Sequence, residues 1–102
     1  MRYYISGPMS GIPEYNFPYF NHVAAKLRAA GLDVVNPAEI DQPTLEWSDC
    51  IRRALRAMLQ CDAIVLLHGW QQSRGALLEL DVAHRVGMRV VQLEELLHAR
   101  SR

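Results

Sequence analysis

The sequence predicts one α/β domain, three layers deep (α/β/α), around a four-stranded parallel sheet of strand order 2-1-3-4. Three observations carry that prediction. Short runs rich in β-branched residues alternate with longer stretches of helical periodicity along the whole chain. Glycines stand where helical stretches stop, at Gly31 and Gly87. The run Ala63-Ile64-Val65-Leu66-Leu67 is apolar without interruption, as expected of a central strand covered on both faces.

Each element follows from local signals. Arg2 to Ser6 reads as a first strand, stopped by Gly7-Pro8, and a turn-rich loop runs on to Pro13. A helix is expected from about Asn16 to Ala30, with Phe17, Phe20, Ala24 and Leu27 on one face. Asp33-Val34-Val35 is a short second strand, ended by Asn36-Pro37. After a polar loop to about Thr44, a second helix covers roughly Leu45 to Gln60. Trp47, Ile51, Leu55, Met58 and Leu59 face inward, with Arg52, Arg53 and Arg56 on a solvated face. The strand from Ala63 leads through a loop, His68 to Ser73, into a third helix over Arg74 to Val86. Arg89 to Gln92 forms a fourth strand, and Glu94 to Ala99 a short last helix.

Such alternation implies right-handed crossovers and helices on both faces of a parallel sheet. With order 2-1-3-4 the class is Rossmann-like, of the flavodoxin-like kind. The chain reverses between strands 1 and 3, and ligands bind outside the carboxyl ends of those strands. Two loops therefore line the crevice: Gly7 to Gly11 after strand 1, and His68 to Gly75 after strand 3.

Composition narrows the function classes. The 102 residues suit one domain, and half of them are hydrophobic, enough for a real core. Eleven acidic and eleven basic residues balance. That argues against a nucleic-acid polymer as partner and against a polybasic membrane patch. The N-terminal run is broken too early for a signal peptide, and no apolar run approaches the roughly 20 residues of a membrane helix. A cytoplasmic protein is expected. Cys50 and Cys61 form no metal or redox motif and read as reduced thiols. His22, His68, His84 and His98 lack metal-ligand spacing, and no Walker loop or complete G-x-G-x-x-G appears, so neither a metal nor a cofactor is expected.

The two crevice loops hold residues suited to a phosphate or sugar. Gly7 and Gly11 let the backbone turn sharply, with Pro8 and Met9 between them, and Ser10 adds a hydroxyl. Ser73 stands at an N-cap position, and Gly75 exposes its amide, so the start of the third helix is suited to an anion. Ser73 capping its own helix accounts for the same residue. Trp70 is placed either to stack on a base or to cover the strand end. Glu79 is the unusual residue: a carboxylate on a helix face shared with Ala76, Val82, Ala83 and Val86. Such a group is costly unless paired, and burial tunes its acidity for chemistry. Pairing with a buried donor such as Tyr4 or an arginine is the structural alternative.

Several ordered segments carry a resemblance. Tyr4-Ile5-Ser6-Gly7-Pro8-Met9-Ser10-Gly11, Val35-Asn36-Pro37-Ala38-Glu39, Cys61-Asp62-Ala63-Ile64-Val65-Leu66-Leu67, Gly69-Trp70 and Ser73-Arg74-Gly75-Ala76 with Glu79 span nearly the whole chain. Together they resemble small bacterial and phage proteins of the nucleoside 2-deoxyribosyltransferase superfamily, of the DUF4406-like branch. The resemblance implies a Rossmann-like domain that dimerises or assembles further, and a small-molecule nucleoside or nucleotide as partner. It implies a glutamate nucleophile eight residues before the glycine that ends its helix, a spacing that Glu79 and Gly87 share. It implies that Tyr4, three residues before Gly7, orients that nucleophile. Six residues before the glutamate, transferases of free nucleosides tend to carry Asp, and the deoxynucleoside-5′-monophosphate N-glycosidases carry Ser. Here it is Ser73. An Asp repels a phosphate, whereas a Ser donates to it.

One position departs from the pattern. Relatives usually carry an Asp in the second helix, eight residues before the Asp that opens strand 3, to protonate or position the leaving base. Counting back from Asp62, that position is Ala54, and Asp49 lies five residues earlier. Some members also take an Asn or Ser from a neighbouring subunit's C-terminal region, and the stretch Leu97-His98-Ala99-Arg100-Ser101-Arg102 holds no Asn. The expected function is cleavage or exchange of the N-glycosidic bond of a 2′-deoxynucleoside or its 5′-monophosphate. The alternatives are a nucleotide-binding module of the same fold with impaired catalysis, and an interaction domain without a ligand.

Overall fold

The computed structural model describes residues 1–41, 43–44 and 46–100, the last two through their backbone alone. Leu45, the expected start of the second helix, and the terminal Ser101 and Arg102 lie outside the described residues. Four strands, β1 (Arg2–Ser6), β2 (Asp33–Val35), β3 (Ala63–Leu66) and β4 (Arg89–Gln92), alternate with four helices, α1 (Phe17–Ala29), α2 (Trp47–Met58), α3 (Arg74–Arg85) and α4 (Leu93–Arg100). The sheet order is β2-β1-β3-β4 and every pairing is parallel, as the sequence predicts.

Side chains along a strand point alternately to opposite faces. On β1, Ile5 joins Val65 and Leu67 beneath α1, whose Phe20, Val23, Ala24 and Leu27 are buried, together with Leu93 at the start of α4. Each fully buried Phe or Leu there contributes about 1.5–3 kcal/mol. Tyr4 faces the other layer with Ile64 and Leu66, against Ala54 and Met58 of α2 and Ala83 of α3. Ser6, two residues from Tyr4, shares this second face. The parity of β1 therefore decides which of its polar side chains meet α2 and α3.

Three expectations need correcting. Leu59 is 53% exposed rather than inward. It follows Met58 by one residue, about 100° round the helix from the stripe of Ala54 and Met58. Arg53 is half-buried rather than solvated, with its Nε 3.9 Å from Asp49. Phe17 is only half-buried, and Val23 takes a place in the buried stripe of α1. Ahead of α1 the chain makes a left-handed turn, with φ of 57°, 53° and 61° at Glu14, Tyr15 and Asn16. Non-glycine residues enter that region at about 1–2 kcal/mol each. Asn16 Nδ2 donates to the Pro8 carbonyl at 3.0 Å, tying this turn to the loop after β1.

The loop after β2 is pinned from within. Asn36 is buried; its Nδ2 donates to Asn21 Oδ1 at 2.9 Å and its Oδ1 accepts from the Ala38 amide at 3.0 Å. Arg28 reinforces it from α1 with two bonds of 2.9 Å to Glu39. Asp62 accepts from the Arg2 amide at 2.7 Å, consistent with a role in loop geometry.

Candidate active site

Glu79 lies in the stripe Ala76, Glu79, Ala83 that α3 turns toward the sheet, and it is 5% exposed. Two hydroxyls from β1 meet it. Tyr4 donates to Oε2 at 2.7 Å and Ser6 donates to Oε1 at 2.5 Å. Among the described residues no arginine pairs with Glu79. Burial pushes the Glu79 pKa up to about 7 against the opposing pull of the Ser6 and Tyr4 hydrogen bonds. Burial, and then the carboxylate beside it, hold the Tyr4 phenol well above its ordinary range, so Tyr4 stays a donor. The result is a carboxylate that changes charge near neutrality, the range a general base requires.

Glu79 opens on a cavity of about 90 Å³ between β1, α2 and α3. Tyr4, Gly7, Met9, Ser10, Ser73, Gly75 and Glu79, all singled out from the sequence, line it together. Three others do not. Pro8 lines a neighbouring surface hollow with His68 and Gly69. Gly11 sits at φ +81° with open space around it. Trp70 packs against the Tyr4–Met58 cluster and so covers the strand end. Ser6, Trp47, Cys50 and Ile51 line the cavity without having been anticipated. Strand parity could have found Ser6, because it must share a face with Tyr4. The indole at the crevice is thus Trp47 of α2 rather than Trp70.

At the start of α3, Ser73 Oγ accepts from the Ala76 amide at 3.1 Å, a true N-cap. That bond uses an acceptor site and leaves the hydroxyl proton to donate elsewhere. The Arg74 guanidinium lies 3.6 Å from the Trp47 ring centroid, which holds the indole at the rim. A Cβ on Gly75 would meet only ordinary contacts, 3.7 Å from Ile51. Gly7 differs, since a Cβ there would stand 2.9 Å from Leu67 Cβ.

A cavity of 90 Å³ holds a few waters, each about 30 Å³. It adjoins a groove of about 400 Å³ that shares Met9, Ser10, Trp47 and Cys50 with it and adds Tyr15, Phe17, Ile40 and Asp41. That volume falls in the roughly 300–1,000 Å³ range of small-molecule sites.

The family described as Domain of unknown function (DUF4406) matches residues 1–92, which include every strand and every lining residue of the cavity. The chain belongs to the DUF4406 family. Among solved structures, a 2-desoxiribosyltransferase from Leishmania mexicana has a similar fold, with a TM-score of 0.69 at 21% sequence identity. The match covers 89% of the DUF4406 chain but 62% of that chain, so this domain spans under two thirds of its neighbour's length. No curated protein matches. In the DUF4406 domain, Ala54 stands in the cavity wall. Asp49 points away, accepting from Thr44 Oγ1 at 3.0 Å. Among the described residues no helix is long and apolar enough to cross a membrane, and no cluster of His, Cys, Asp or Glu could hold a metal.

Proposed function

We propose that the domain breaks or exchanges the N-glycosidic bond of a 2′-deoxynucleoside or its 5′-monophosphate, with Glu79 as nucleophile. The observation that carries this reading is the buried Glu79 carboxylate, held at both oxygens by hydroxyl donors and facing a cleft. Ionised Glu79 attacks the anomeric carbon as the bond to the base breaks. The base leaves with that bond's electron pair and takes up a proton from solvent. The glycosyl ester then passes its sugar to water or to a second base. Without a 2′-hydroxyl the sugar carries oxocarbenium character more easily, and the carboxylate stabilises the developing positive charge.

The lining of the cleft supports a reading of the rest of the substrate. The free proton of Ser73, the Ser10 hydroxyl and the amide of Gly75 are suited to a phosphate or the 5′ end of the sugar. The apolar groove beside Trp47 and Phe17 is suited to the base. A dimer would enlarge the site, as the superfamily resemblance implies.

The second reading, a binding module without turnover, is favoured by Ala54 in the cavity wall. Acid assistance to the leaving base is worth about 10²–10⁴ in rate. Incubation with deoxynucleosides and their monophosphates, with and without an acceptor base, separates the readings. Wild type should release base, Glu79→Ala should not, and Ala54→Asp should act faster within that range. If neither wild type nor Ala54→Asp releases base, catalysis is refuted and the binding module stands.

A further inference from the structure

We propose that Ser6 is a second positioning residue for Glu79, holding Oε1 while Tyr4 holds Oε2. The inference rests on Glu79 being the nucleophile, and it adds a role to a residue that no expectation had placed in the site. Ser6 is 1% exposed, so its hydroxyl has no access to bulk water as a competing partner. Its backbone is fixed in the sheet by pairing with Leu66 and by the bond from the Leu67 amide to its carbonyl, 2.8 Å long. The Oγ therefore meets Glu79 from a rigid strand end.

Two donors do what one does not. The last torsion of a glutamate side chain is broad and roughly two-fold, so a carboxylate held at one oxygen still pivots about it. Tyr4 alone leaves that freedom. Ser6 removes it and fixes the carboxylate plane at both corners. Each oxygen has about two acceptor positions, so each keeps one for the anomeric carbon.

The second consequence concerns charge. Among the described residues no Lys, Arg or His lines the cavity to neutralise an ionised Glu79. The ionisable groups that line the cavity with it are Tyr4 from β1 and Cys50 from α2. Burial and the neighbouring carboxylate keep Tyr4 protonated. Arg74 on the first turn of α3 is stacked on Trp47, and Arg53 on α2 is turned to Asp49. The charged form of Glu79 is thus supported by hydrogen bonds from Tyr4 and Ser6, and β3 contributes only Ile64 and Leu66 to this face.

The test is a carbon-13 NMR titration of the Glu79 carboxyl in the ligand-free protein, for wild type, Ser6→Ala and Ser6→Thr. Ser6→Ala deletes one hydroxyl and no other atom of the packing, and circular dichroism checks that each variant is folded. Losing a hydrogen bond to a charged group should raise the Glu79 midpoint by about one to two pH units. Ser6→Thr, which keeps the hydroxyl, should return it toward the wild-type value. The acid limb of the base-release profile should move by the same amount in Ser6→Ala. An unmoved midpoint in folded Ser6→Ala overturns the proposal. A moved midpoint with an unmoved acid limb overturns it as a role in the reaction. A moved midpoint with no base release by wild type or Ala54→Asp upholds Ser6 as the holder of the carboxylate and refutes the nucleophile reading instead.

Discussion

Replacing Glu79 with Gln keeps the length and shape of the side chain and removes its charge. The carboxyl is 5% exposed, and its pKa stands near 7 rather than the ordinary 4.5. At pH 4 it is largely protonated in the folded and the unfolded chain alike, and its ionisation costs almost nothing. As pH rises through 4.5 the unfolded chain releases its proton first, so native stability falls. Above about 7 the native carboxyl is ionised as well and the loss is complete. At roughly 1.36 kcal/mol for each pH unit between the two values, the loss is about 3 kcal/mol. Gln does not titrate, and every other group cancels in the comparison. Urea unfolding of wild type and Glu79→Gln at pH 4 and pH 8.5 gives the two stability differences directly. Exchanging the carboxylate for an amide also rearranges the bonds to Tyr4 and Ser6, which adds an offset independent of pH. The expected result is that the variant gains about 3 kcal/mol on wild type between the two pH values. A difference that stays constant within about 1 kcal/mol, or one that moves the other way, refutes the claim that Glu79 is held ionised against a desolvation cost.

Three further outcomes follow from the packing and the cleft. Gly7→Ala sets a Cβ 2.9 Å from Leu67 Cβ, so strand ends must separate; denaturant unfolding should show a loss of about 1–3 kcal/mol. Ser73→Asp keeps a good N-cap, so thermal stability should hold. Its charge should weaken binding of a deoxynucleoside 5′-monophosphate more than binding of the free nucleoside, read by calorimetry; equal losses would show that no phosphate sits at Ser73. Light scattering at micromolar concentration should give a dimer, and a monomer alone would remove any site shared between subunits.

Much of this fold was legible because its signals are local. Strand limits at Arg2–Ser6, Asp33–Val35 and Arg89–Gln92 follow from short runs of aromatic or β-branched residues with Gly, Pro or Asn close to at least one end. Alternation of elements and right-handed crossovers call for a parallel sheet with helices on both faces, and among the orders these allow the structure adopts the expected β2-β1-β3-β4. Ser73 stood out by its N-cap position and Glu79 by its apolar helical face, while Tyr4 entered as a candidate buried donor and through the family resemblance. The left-handed turn at Glu14–Asn16 was not legible, since none of its residues is glycine and the turn is stabilised by a distant carbonyl, that of Pro8.

The amino-acid sequence by itself determined the elements, their order and the carboxylate around which the site is built. It did so because periodicity, caps and turn residues act over a few positions of chain. Only the tertiary structure decided which side chains surround that carboxylate. Ser6 reaches Oε1 from 73 positions away, Trp47 lines the cavity while Trp70, open between two readings, packs on the Tyr4–Met58 cluster, and Leu59 faces solvent one residue past the buried stripe of α2. Those outcomes depend on how strands pair in register and how α2 and α3 rotate on the sheet. Packing between elements far apart in the chain sets both, and no local signal carries that information.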